Sequence, residues 1–189
     1  MKNLNKPVKI ISLIFQIIFL VGSVAMLAAV IASFAAADSF GNFLLKQTGN
    51  GQIATNGFEI TLADGNGNII PAAVRIFSFA GLFSMLCMTM IFRNIYLILK
   101  TSEGKTWFSK GATPFQKDNT RMVRETGIFS IMIPVIELIL SSLAKLIIGV
   151  DNVETSVQIT GIAMGLAMLC FSQVFAYGQK LEEDTEGLI

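Results

Sequence analysis

The sequence has no histidine, which removes the commonest general base and the commonest metal ligand and, with them, most of the chemistry of soluble enzymes. Cysteine is nearly absent. Cys87 and Cys170 both lie inside apolar runs, where neither a structural disulfide nor a thiolate metal pair finds its spacing, so they read as small core residues. Charge is scarce too: Asp, Glu, Lys and Arg make up 14% of the 189 residues, where ordinary soluble domains carry about 25%. Hydrophobic residues reach 53% and mean hydropathy is +0.66, which puts the chain in the membrane class before any residue is placed. The net charge of +1 says nothing about partners, because the charges are segregated along the chain.

What is present is a set of four long apolar runs. Lys2, Lys6 and Lys9 precede the first, from Ile10 to about Ala37. It is nearly twice the length of a secretory h-region (about 7–15 residues) and long enough to cross ~30 Å of hydrocarbon, so it reads as an uncleaved span despite Ala35-Ala36-Ala37. Pro71 opens a second span, about 72–99, at a first-turn position where its missing N–H is no loss. A third, about 127–148, is interrupted by Pro134, and a fourth, about 157–177, carries a Gly161-x-x-x-Gly165 face that permits close helix contact. The expectation is an all-α integral membrane protein, a single membrane domain built as a four-transmembrane-helix bundle. An extracellular loop (38–71) follows the first helix, a cytoplasmic connector (100–126) separates spans two and three, and a tail (178–189) ends the chain.

Within the long loop, Phe58-Glu59-Ile60-Thr61-Leu62 alternates apolar and polar residues and Asp64-Gly65-Asn66-Gly67-Asn68 is a turn cluster before Ile69-Ile70, the pattern of a β-hairpin. Asp64, Asn66 and Asn68 imitate the first ligand positions of a calcium loop. Ile69 stands where that loop requires glycine and Arg75 where it requires glutamate, so neither a metal nor a cofactor is expected. Asp151 to Thr155 reads as a tight outer turn. Placing both termini and the connector on one side leaves only Lys46, Arg75 and Lys145 of the fourteen basic residues on the other. The positive-inside rule then makes both termini and the connector cytoplasmic in a bacterial cell membrane.

Polar side chains inside spans are costly in hydrocarbon and are functional candidates by default. Depth along each helix, at ~1.5 Å per residue, puts Arg93, Glu137, Gln16, Asn94 and Gln173 in the inner half. They are expected to form a buried Arg93–Glu137 pair completed by the three amides. Pro134, one turn before Glu137, frees the Ser130 carbonyl. In the connector, Thr113 is placed as an N-cap with Pro114 at the first helical position and Gln116 completing a capping box, and Asp118, Arg121 and Glu125 follow on one solvated face. Trp107 and Phe108 fall at headgroup level.

Thr113-Pro114-Phe115 with Asn119 and Arg121, closed by Gly127, resembles the "PF…EN…R…G" signature of the bacterial membrane proteins catalogued as domain of unknown function 2975. Phe175 to Asp184 is similar to that family's closing "F…G…L…E.D" stretch, and the four-span layout with a long first outer loop also fits. The chain departs from the pattern at Gln116, where the family usually has a cap threonine, and at Asp118, where it often has glutamate; this moves the cap to Thr113. The family has no established activity. Its members are often encoded beside a small helix-turn-helix regulator, so the resemblance implies a membrane partner for a DNA-binding protein.

Two functions follow as expectations. One is a non-enzymatic signalling or sequestration module, with no nucleic-acid binding of its own, that holds a cytoplasmic partner through Pro114, Phe115, Asn119, Arg121, Arg124, Glu182, Glu183 and Asp184. The other is a small transporter or ligand-binding bundle that uses the Arg93–Glu137 pair. An intramembrane enzyme is the weakest reading: Ser141 and Lys145 are four apart on one helix but lack a recognisable dyad partner.

Overall fold

The computed structural model describes residues 2–49 and 51–186. In chain order it contains α1 (Lys2–Ala35), α2 (Ala37–Thr48), β1 (Gln52–Ala54), β2 (Phe58–Thr61), α3 (Pro71–Ser102), α4 (Lys117–Ile148), β3 (Val153–Thr155) and α5 (Ile159–Glu186). The helices α1, α3, α4 and α5 are each long and apolar enough to cross a membrane. Their outward faces agree with that. Val21 and Ile31 on α1 are 63% and 62% exposed and Leu146 on α4 is 85% exposed, apolar surface of the kind that lipid covers. Helices also satisfy their own backbone groups, as hydrocarbon demands. This is a multi-pass membrane protein.

Contacts divide the chain into two compact units. The first gathers the described residues of Met1–Phe19, Cys87–Ile131 and Thr160–Ile189. In it Phe92 of α3 stacks on Phe15 and Phe19 of α1, with ring centroids 5.0 and 5.5 Å apart. Helices α4 and α5 touch backbone to backbone: a Cβ on Gly127 would lie 2.8 Å from the Gly165 carbonyl oxygen, and one on Gly165 would lie 2.7 Å from that of Gly127. The small-residue face of the fourth span is therefore used inside the chain.

The second unit comprises Leu20–Leu86 and Met132–Ile159. Here α1 ends with no basic residue in its last turn. Arg75 of α3 supplies the cation: its Nε donates to the Ser33 carbonyl at 3.3 Å and its guanidinium lies 4.8 Å from the Phe34 ring centre. Ala36, at φ −150°, breaks the helix. The chain re-enters as α2 with Asp38 in its first turn, and α2 closes at Gly49, whose φ of 68° is the left-handed conformation glycine adopts freely. Helix α2 was not anticipated within the loop.

The sheet departs from the expected hairpin. Strand β2 is central, antiparallel to β1 on one side (Ile53 opposite Ile60) and to β3 on the other (Ile60 opposite Val153). The turn cluster does form. The Asn68 and Asn66 amides donate to Asp64 Oδ1 at 2.8 and 2.9 Å, and these bonds, the Asn68 amide foremost, hold the Asp64 carboxyl below its ordinary pKa. The return arm, however, is a single bridge between Ala63 and Ile69 plus the Ile70 amide to the Leu62 carbonyl. The expected tight turn after α4 is a short 3-10 turn (Val150–Asn152) followed by β3. The reason lies in β2 itself. Phe58, Ile60 and Leu62 are at most 1% exposed, packed with Ala73, Val74, Ile76 and Ala80 of α3, Ala144 of α4 and Val153. A strand that deep needs hydrogen-bond partners along both edges.

Candidate functional site

Glu137 is 1% exposed on α4. Ser84 Oγ of α3 donates to its Oε1 at 3.2 Å, and its carboxyl and Cβ rest on Gly57, between β1 and β2. The Asn56 backbone lies beside the carboxyl, yet no donor among the described residues closes a hydrogen bond to Oε2. One buried carboxyl thus joins α3, α4 and the tip of the sheet. Thr55 shapes that tip, its Oγ1 accepting the Gly57 and Phe58 amides at 3.3 and 3.2 Å.

The expected five-residue cluster is not what the structure assembles. Glu137 belongs to the second unit, and Arg93, Asn94, Gln16 and Gln173 to the first. Arg93 is exposed, and its guanidinium donates to Met90 Sδ at 3.9 Å; it lines a cleft of about 310 Å³ with Trp107, Asp118, Arg121 and Glu125. Asn94 is buried, as expected of it, but its amide donates to Glu125 Oε2 at 3.3 Å. Gln16 is half-buried and Gln173 is exposed. Glu137 lies about 20 residues into α4, ~30 Å along it from Lys117.

The connector is a second, better-formed site. Thr113 is not the N-cap, and no capping box closes: α4 starts after Gln116. Gln116, 6% exposed, instead organises the irregular chain before it. Its Nε2 donates to the Thr113 and Gly111 carbonyls at 2.8 and 3.0 Å and its Oε1 accepts the Lys110 amide at 2.9 Å, satisfying backbone groups that no helix or sheet would pair. Asn119, expected on a partner-binding surface, is fully buried. Its Nδ2 donates to Ser102 Oγ and the Pro114 carbonyl at 3.0 and 2.9 Å, so it fastens the connector to α3 and α4. Its Oδ1 has no hydrogen-bond partner among the described residues.

The remaining candidates share one face. Thr113 Oγ1 accepts the Phe115 amide at 3.2 Å and donates to Glu182 Oε2 at 2.8 Å. The Phe115 ring lies on Gly178, where a Cβ would come within 2.5 Å of it, and 5.7 Å from the Phe175 ring. Helix α5 thereby carries the acidic tail against the connector. A cleft of about 480 Å³ opens between them, with Lys110 and Lys117 facing Glu182 and Glu183. Pro114, Arg121, Arg124, Glu183 and Asp184 are exposed. Arg121 pairs with Glu125 at 3.4 Å and Asp118 at 3.9 Å, exposed contacts worth a few tenths of a kcal/mol to about 1 kcal/mol.

Sequence reasoning missed Ser84 and Gly57 beside Glu137, and the bonding role of Gln116. It also missed Glu103, whose carboxylate takes the Lys9 and Lys105 ammonium groups at 2.7 Å each. Those two bonds, Lys105 first, hold its pKa down at about 2. Only the position of Glu103 between Lys100 and Lys105 hinted at this. No protein-family model, curated protein or solved structure matches the chain.

Proposed function

We propose that this chain is a non-enzymatic membrane module whose connector and tail together hold a cytoplasmic protein. The observation that carries the reading is the Thr113–Glu182 hydrogen bond, seated beside Phe115 on Gly178. It makes one face out of two stretches 69 residues apart in sequence. That face has exposed apolar side chains (Phe115, Tyr177 and Leu181) ringed by charges of both signs, a composition suited to a protein partner. The distribution of basic residues supports a cytoplasmic connector with both termini beside it, in a bacterial membrane. The resemblance of 113–127 and 175–184 to domain of unknown function 2975 favours a small helix-turn-helix regulator as the partner. The transporter reading required an Arg93–Glu137 pair, and Glu137 is bonded to Ser84 instead.

The test is pull-down of the chain from its native membranes, with identification of any small helix-turn-helix protein retained. Charge reversal at Glu183 and Asp184 on the exposed side of α5 is expected to reduce retention at least tenfold, while the same change at Asp64 in the other unit leaves it unchanged. Equal retention by all variants, or no retention by the unaltered chain, overturns the reading.

A further inference from the structure

In the first unit, the start of α1 and the end of α3 enclose a cleft of about 400 Å³ lined by Lys6, Lys9, Lys100 and Lys105 above Ile10, Leu13 and Tyr96. The lysines stand where the apolar runs stop: Lys9 immediately precedes Ile10, and Lys100 immediately follows Leu99. Lys9 is held in place, its Nζ 2.7 Å from both oxygens of Glu103 with 18% of its side chain exposed. Lys105 bonds the same carboxylate at 2.7 Å but remains 63% exposed. Lys100 Nζ lies 5.8 Å from the centre of the Tyr96 ring. Two ammonium groups, of Lys9 and Lys105, share the Glu103 carboxylate, Lys6 and Lys100 line the same cleft, and its wall is apolar, with Ile10 and Leu13 59% and 39% exposed.

We propose that this cleft binds an anionic phospholipid, its phosphate among the four lysines and an acyl chain along Ile10, Leu13 and Tyr96. The match is chemical. A phospholipid presents negative charge directly above hydrocarbon, the complement of what α1 and α3 display at the membrane boundary. A free anion would leave the apolar wall unused. A zwitterionic lipid brings its own cation among four ammonium groups. Glu103 is a positioning residue: it draws Lys9 and Lys105 together and leaves most of the positive charge uncompensated. The site is separate from the connector–tail face and does not depend on the partner proposed for it.

Each lysine near a membrane surface contributes about fivefold to anionic-lipid affinity. The experiment reconstitutes the full chain in nanodiscs of phosphatidylcholine with a minor fraction of phosphatidylglycerol, extracts it into detergent, and weighs the retained lipid by native mass spectrometry. The unaltered chain is expected to retain phosphatidylglycerol in preference to phosphatidylcholine. Lys6→Gln/Lys100→Gln/Lys105→Gln is expected to weaken that retention on the order of a hundredfold, and the matching triple arginine variant to keep it. Should the triple glutamine variant not fold, Lys105→Gln alone, at the more open of the two lysines on Glu103, is expected to weaken retention about fivefold. Equal retention of both lipids, unchanged retention in the folded glutamine variants, or displacement by millimolar inorganic phosphate overturns the proposal.

Discussion

Gly57→Ala tests whether the buried glutamate and the sheet tip are one packed structure. An ideal Cβ at position 57 lies 2.7 Å from the Glu137 Cβ and 2.6 Å from Oε2. The carboxyl can turn aside, but the two Cβ positions are set by the backbones of α4 and the β1–β2 tip. Relief therefore requires the sheet or the helix to shift. Inserting a methyl into such a site costs about 1–3 kcal/mol. At about 2–4 °C per kcal/mol for a chain of this size, the melting temperature in lipid nanodiscs, followed by circular dichroism, is expected to fall by roughly 2–12 °C. Gly57 does not sit at positive φ, so backbone strain adds nothing. Gly65 is the control, because a Cβ there meets nothing within 4 Å and Gly65→Ala should stay within about 0.5 kcal/mol. Combining Gly57→Ala with Glu137→Ala should recover part of the loss but not all, since the Cβ–Cβ contact survives. A Gly57→Ala protein that melts with the unaltered chain, or a Gly65→Ala protein that falls as far, refutes the reasoning.

Other predictions concern the first unit. Gln116→Ala strips three short backbone bonds from the connector and is expected to cost about 1–3 kcal/mol, read as faster hydrogen exchange at 110–113; unchanged protection there counts against it. Gly178→Ala pushes on the Phe115 ring and not on backbone, so it should cost stability no more than about 1 kcal/mol while lowering retention of a connector-bound partner. Glu103 gives a pH test. Its folded pKa, about 2, lies below the ordinary 4.5, so its contribution is complete above pH 4.5 and is lost as pH falls towards 2. The gap in melting temperature between the unaltered chain and Glu103→Gln should therefore be constant above pH 4.5 and close on acidification; a gap independent of pH down to 2 removes the Lys9–Glu103–Lys105 contact from the account.

The four spans were legible because a run of about 20 apolar residues has few other structures open to it, and the strand at 58–62 because period-two alternation is local. The sheet around that strand was not. Thr155 pairs with Phe58, nearly a hundred residues away, and the three residues of β3 carry no pattern that could announce such a partner. Helix α2 was hidden for a different reason: Phe40 and Leu44 stand one turn apart and pack on the core, but Gly41 and Asn42 between them read as loop. Gly41 is there because Ile69 occupies the space a Cβ would fill, 2.5 Å away.

The same contrast explains the two candidate sites. Polarity inside a span marked Glu137 and Asn94 as buried, and both are, but burial does not name a partner. Choosing Arg93 for Glu137 relied on depth counted from the ends of the spans, and depth does not say which face of its helix a side chain takes: Arg93 is exposed. Ser84 offered no signal at all, one hydroxyl among many in a helix. In the connector, composition correctly separated the exposed arginines from the spans, yet Asn119 looked like any surface amide. What buried it was the irregular backbone of 103–116, whose carbonyls and amides had no ladder to join and drew Asn119 and Gln116 inward. Gln116, Asn119 and Glu137 are buried beside irregular backbone, at the connector and at the sheet tip, and those are the two places where a single substitution should be felt most.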